Sequence, residues 1–165
     1  MGPDGKLWDI LRVNSTPFFD RAAMVEIKDN GKKAEFSSEN FITLPGGMSK
    51  FLIRKDPKNN VYWMLSNNNT YPDFAAQRNI LSLYASKDLR TWHHAKTLME
   101  DDQGLSATES IKRTGFQYPD WVFDGEDIIY LSRTAYQGAR NYHDSNRITF
   151  GRLVNFKNYL PENLK

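Results

Sequence analysis

Short apolar segments, joined alternately by tight turns and long polar loops, run the length of this chain. No segment has the length and periodicity that would predict a convincing helix. This pattern restricts the fold to antiparallel β-structure. Segments 22–28 and 32–36 flank Asp29-Asn30-Gly31, a strong hairpin turn signal. Segments 49–54 and 61–66 flank Asp56-Pro57-Lys58-Asn59-Asn60, and 80–85 and 92–98 flank residues 87–91. Segments 116–123 and 128–133 meet at an acidic, glycine-containing turn over 124–127. A strand over 6–14 precedes these hairpins and one over 147–154 follows them. The stretches 15–20, 67–79 and 134–146 read as long polar loops, and 100–114 as a polar connection.

The spacing repeats. Residues 49–98 hold four strands joined by a short turn, a long loop and a short turn. Residues 116–154 repeat the first three strands of that unit, and 6–36 match its last three. A period of about 50 residues with four antiparallel strands per unit is the blade of a β-propeller. The fold class expected is therefore all-β, with one partial propeller domain over 1–165 and blade units at 6–36, 49–98 and 116–154. About three blades cannot close a ring, since propellers have four to eight. The chain reads as the C-terminal part of a larger, six-bladed ring whose N-terminal blades are missing; the alternative is a meander or sandwich of about 11 strands complete in itself. In a propeller, the loop between second and third strands and the start of the innermost strand lie on one face. Loops 15–20, 67–79 and 134–146 should then gather there with residues 47–50 and 117–120, and long loops on a rigid scaffold carry function.

Composition narrows the partners. Hydrophobic residues make up 39% and aromatic residues 13%, enough for a core and suited to sugar-binding surfaces. The net charge is +2 with acids and bases interspersed, which argues against a nucleic-acid stripe. No apolar run reaches the roughly 20 residues of a membrane span, and residues 1–10 lack the apolar region of a signal peptide. There is no cysteine, so no disulfide or thiolate metal site. The chain holds three histidines; His143 has no suitably spaced second histidine, so no metal is expected. No cofactor is implied.

Two motifs carry more information. Ser86-Lys87-Asp88-Leu89-Arg90-Thr91-Trp92 has the form S-x-D-L-x-x-W, in which Ser and Asp can cap a tight turn and Trp packs into the sheet. It resembles the Asp-box of sialidases, one residue shorter and without the glycine, and also the turn of five-bladed hydrolases acting on arabinosides and fructosides. The preceding Arg78-Asn79-Ile80-Leu81-Ser82-Leu83-Tyr84 is similar to the sialidase pattern of an arginine before the strand that leads into an Asp-box. Phe116-Gln117-Tyr118-Pro119-Asp120-Trp121 resembles the segment in which a tyrosine opens an inner strand. The resemblance runs from Gly46 onward and is closest to the sialidase-like, Asp-box proteins.

That resemblance implies a glycoside hydrolase acting on an acidic sugar, with Tyr118 as nucleophile and Arg78 as a carboxylate clamp. A phenol can approach an anomeric carbon bearing a carboxylate without like-charge repulsion. Asp120, two residues on, should share Tyr118's face of the strand and could act as general acid or base. Arg133 stands where the family pattern often has a glutamate; it could be a second anion ligand, or pair with Asp120 or Asp144. His143, Asp144, Asn146 and Asn67 are candidates for hydroxyl contacts or loop networks. Two other readings remain open: a five-bladed furanosidase using paired carboxylates, and a propeller that only binds glycan or protein. A secreted or periplasmic location is what the resemblance implies.

Overall fold

The computed structural model describes residues 1–16, 18–71, 73–74 and 77–165. Pro17, in the loop expected at 15–20, and Pro72, Ala75 and Ala76, in that expected at 67–79, lie outside the described residues. The protein is all-β, built from three antiparallel sheets of three to four strands.

In the first sheet β1 (Leu7–Arg12) pairs with β2 (Arg21–Lys28). The other edge of β2 carries β3 (Lys33–Glu35) and, further along, β4 (Phe41–Thr43). These two pieces form one interrupted edge, divided by a 3-10 turn over Ser38–Asn40. The middle sheet is a meander of β5 (Leu52–Lys55), β6 (Tyr62–Ser66), β7 (Ile80–Ser86) and β8 (His93–Glu100). The third is a meander of β9 (Gly115–Asp124), β10 (Asp127–Ala135) and β11 (Arg147–Leu153).

The middle sheet is buried on both faces. Trp63, Leu65, Leu81 and Leu83 pack against Trp121, Ile128 and Tyr130 of the third sheet. Tyr62, Met64 and Tyr84 point the other way, against Ala22, Met24 and Ile42 of the first. Every residue of β6 and β7 is buried, which is why YWMLS and ILSLYAS read as nearly continuous apolar runs. Full burial of each large apolar side chain contributes about 1.5–3 kcal/mol, so this sheet is the main source of stability. Phe156, beyond β11, closes the second core edge-on to Trp63, with ring centroids 5.2 Å apart. The two end sheets keep apolar side chains exposed on their outer faces: Leu7, Leu11 and Phe41 on the first, Val122, Leu131, Ile148 and Phe150 on the third.

Two elements differ from expectation. The polar connection over 100–114 contains a helix, α1 (Ala107–Arg113). Ser106 caps it by accepting from the Glu109 N–H, and Glu109 pairs with Arg113 one turn on. Seven residues with only Ser110 and Ile111 buried leave too little periodicity to be read. The second difference is β4, whose three residues fall below the length at which alternation shows.

Candidate functional site

The long loops lie at one end of the sheets, and Asn67 ties them together. Its side-chain amide donates to the carbonyls of Ile80 (2.9 Å) and Phe116 (2.8 Å), joining the starts of β7 and β9. Gly46, in the left-handed region at φ +73°, lies so close to the Asn67 carbonyl that an added Cβ would collide with it. Asp20, also left-handed at φ +52°, accepts from the Gly46 N–H at 2.7 Å. Burial raises the Asp20 pKa, against the lowering effect of that N–H.

A β-bulge builds the centre of the site. Leu131 pairs with Asp120, but Arg133 pairs with Gln117, so Tyr118 and Pro119 together oppose Ser132. Tyr118 sits there at φ +48° and is not extended. Strand alternation therefore does not relate its side chain to that of Asp120, as the spacing alone suggested. Tyr118 is 40% exposed. The Arg133 guanidinium lies over its ring, 4.6 Å from the centroid, and His143 meets its edge at 6.5 Å.

Gln117, only 1% exposed, organises the cations. Its side-chain oxygen accepts from Arg78 Nη1 at 2.8 Å and from Arg133 Nη2 at 3.3 Å. Its amide nitrogen donates to the Tyr142 carbonyl. One neutral oxygen thus holds two guanidinium groups together. Arg133 also donates to the His143 carbonyl at 2.8 Å, and Arg78 stacks over the Tyr142 ring at 5.5 Å. The Nε atoms of both arginines and Oδ1 of Asn67 are buried with no hydrogen-bond partner among the described residues. Arg12, Lys50 and Arg78 meet Ser49, Gln117 and Tyr118 around a crevice too tight to admit a water molecule. Guanidinium groups held together in this way suit a planar anion, which they bind in fork geometry.

The other candidates divide. Asp120 turns to a neighbouring groove, accepting from its Trp121 N–H (2.8 Å) and lying 3.6 Å from Arg54 Nη2. Among the described residues Arg133 forms an ion pair with neither Asp120 nor Asp144. Asp144 accepts from the Asn141 amide at 2.8 Å and lies 4.0 Å from His143 Nδ1. Asn146 staples its loop: its amide donates to the carbonyls of Tyr136 and Gln137, and its oxygen accepts from the Tyr136 N–H. The Tyr136 hydroxyl donates to Asp102, which raises its pKa. No carboxylate hydrogen-bonds to the Tyr118 hydroxyl among the described residues. Gln117 and Tyr142 escaped the sequence reading; a glutamine beside a strand tyrosine carries no signal until the bulge and the two arginines meet around it.

At the opposite end the Ser86–Trp92 motif is a turn and nothing more. Ser86 Oγ accepts from the N–H groups of Asp88 and Leu89, and Asp88 Oδ1 accepts from those of Arg90 and Thr91. Trp92 donates to the Leu89 carbonyl and packs against the first core. No helix among the described residues is long and apolar enough to cross a membrane. Comparison with protein-family models and with curated proteins finds no match to this chain.

Proposed function

We propose that this chain is part of a sialidase-like β-propeller and that its long-loop end binds an acidic sugar through the carboxylate. The observation that carries the reading is the convergence of Arg78 and Arg133 on the single oxygen of Gln117, beside the exposed ring of Tyr118. A carboxylate offers two oxygens where Gln117 offers one, and it would find arginines already held together. Tyr118 and His143 add an aromatic wall for the apolar face of a sugar ring. In this reading the three stacked sheets are blades. The apolar outer faces of the end sheets meet further blades, N-terminal ones in the full ring.

Catalysis would use Tyr118 as nucleophile at the anomeric carbon, its phenolic proton passing to a base and the leaving oxygen gaining a proton from an acid. Asp120, held towards Arg54, is the acid or base nearest in sequence. The lack of a carboxylate on the Tyr118 hydroxyl among the described residues favours a second reading, in which this part of the ring binds glycan and the base comes from other blades or is absent.

Titration with N-acetylneuraminic acid and with a methyl galactoside, followed by amide NMR, tests both. The acidic sugar is expected to shift the resonances of Gln117, Tyr118 and His143 saturably, the neutral sugar not, and Arg133→Ala to abolish the effect. Equal response to both sugars would sink the carboxylate reading. Hydrolysis of an aryl sialoside that is lost in Tyr118→Phe, with binding kept, would select catalysis over binding alone.

A further inference from the structure

The main chain of Tyr142 is held at both of its polar groups. Its N–H donates to the Lys112 carbonyl, in the last turn of α1, at 2.8 Å. Its carbonyl accepts from Gln117 Nε2. Gly115, the first residue of β9, lies so close to that carbonyl that an added Cβ would collide with the oxygen. The same Cβ would stand 3.2 Å from Gln117 Nε2. Gly115 is outside the left-handed region, so its backbone shape would accept any residue. The approach of the Tyr142 carbonyl is what demands glycine there. Gly115 has little freedom to yield, because it is paired with Ala135 in the ladder with β10.

The two ends of the Gln117 amide face opposite chemistry. Around its oxygen stand the guanidinium groups of Arg78 and Arg133, which only donate. Beyond its nitrogen stands the Tyr142 carbonyl, which only accepts. An amide turned over would set its NH2 against two cations and its oxygen against an oxygen. The Tyr142 carbonyl therefore decides which end of the amide meets the arginines.

The connection before β9 braces this arrangement from outside. The Gln137 N–H donates to Gln103 Oε1 at 3.2 Å, and the Tyr136 hydroxyl donates to Asp102, so the loop carrying Tyr142 is tied to it. Gln103 Nε2 donates to Thr114 Oγ1, next to Gly115, at 2.8 Å. On the Arg78 side, the Asn79 amide donates to Ser110 Oγ of α1 at 2.7 Å.

We infer that Gly115 and the main chain of Tyr142 are positioning residues for the paired arginines. The missing side chain at Gly115 admits the Tyr142 carbonyl, the carbonyl sets the sense of the Gln117 amide, and the amide oxygen draws Arg78 and Arg133 together. The consequence for an acidic sugar rests on the reading proposed above: a carboxylate meets guanidinium groups whose spacing is set before it arrives, so order at Gly115 appears as affinity. The geometry itself does not depend on that reading.

NMR of the isotope-labelled full chain tests the inference. Through-bond coupling from Gln117 Nε2 to the Tyr142 carbonyl carbon is expected in the parent, and its absence overturns the inference. Gly115→Ala is expected to abolish this coupling, to move the Nε–H signals of Arg78 and Arg133, and to weaken N-acetylneuraminic acid about tenfold. Gly125→Ala, at the opposite end of the sheets, should change none of the three. A Gly115→Ala chain with parental Nε–H signals and affinity overturns the inference. If the parent does not bind the sugar, the acidic-sugar reading fails, and the coupling and the Nε–H signals still decide the positioning role. Should Gly115→Ala not fold, Tyr142→Pro, which lacks the N–H held by Lys112, is compared with Tyr142→Ala, which keeps it. Larger movement of the Nε–H signals in the proline variant supports the inference, and equal movement overturns it.

Discussion

The two ends of the sheet stack use polar residues in opposite ways. At the short-turn end, the carboxylates of Asp88 and Asp127 accept from backbone N–H groups, and Ser86 caps its turn. Arg152 sits between Asp124 and Asp127 at 2.5 and 2.6 Å. At the long-loop end, Arg78 and Arg133 share one neutral oxygen and keep buried Nε atoms unpartnered. Polar groups at the first end complete the backbone's hydrogen bonds; at the second, Asn67, Asp20 and Asn146 do the same, and the two arginines keep unpartnered Nε atoms on that frame. This asymmetry, more than any single residue, locates the site.

The sharpest way to break the comparison uses two left-handed glycines, one at each end. Gly46→Ala meets both an unfavourable φ and the Asn67 carbonyl, and is expected to cost about 2–4 kcal/mol. Gly125→Ala, at φ +63° with open space around it, should cost only about 1 kcal/mol. Chemical denaturation of both measures the difference; equal costs would mean that the Gly46–Asn67 approach does not hold the loops.

Gln117→Leu is next in size. It leaves two guanidinium groups without their shared acceptor and should destabilise by about 1–3 kcal/mol at neutral pH. A saturating carboxylate ligand should recover part of that loss in a thermal melt. Loss without recovery would assign Gln117 a purely structural role.

Protonation separates the ends by sign. Burial raises Asp20, so the folded state holds its proton more tightly than the unfolded state does. Its contribution is present at acid pH and declines as pH rises above the ordinary carboxylate value. Asp88 is lowered: burial opposes this, but the N–H groups of Thr91 and Arg90 outweigh it. Its contribution is present above the ordinary value and declines as pH falls through the lowered one. Asp20→Asn should therefore gain stability relative to the parent as pH rises from 4 to 7, whereas Asp88→Asn should gain relative to the parent as pH falls below 4. Parallel pH profiles for the two variants would remove the contrast.

The smallest effect is expected at Arg152. The ion pairs with Asp124 and Asp127 are exposed and screened, so Arg152→Ala should cost little, the least of these variants. The loss should shrink further in 1 M salt.

Much of the fold was legible because turn chemistry and strand composition are local. Asn30-Gly31, Pro57 followed by Asn59-Asn60, and Asp124-Gly125 mark hairpins by their own backbone preferences. The Ser86–Trp92 turn is complete within seven residues. The strands β6 and β7 were legible as strands, while their burial on both faces shows only in the stacked sheets. The helix α1 and the three-residue β4 were not legible, since each depends on neighbours for its stability.

The site divides along the same line. Sequence by itself determined that Arg78, Tyr118, Arg133 and His143 fall at one end of the strands, because strand and loop order fix which end each loop reaches. Only the tertiary structure decided that Gln117 is the hub, that Tyr118 leaves the extended conformation in a bulge, and that Asp120 turns to Arg54. Those outcomes depend on contacts across 16 to 67 positions of sequence, as in Arg133 with Gln117 and Arg54 with the Trp121 carbonyl. No local preference of the chain encodes such contacts; they are set when the sheets stack and their side chains compete for the same space.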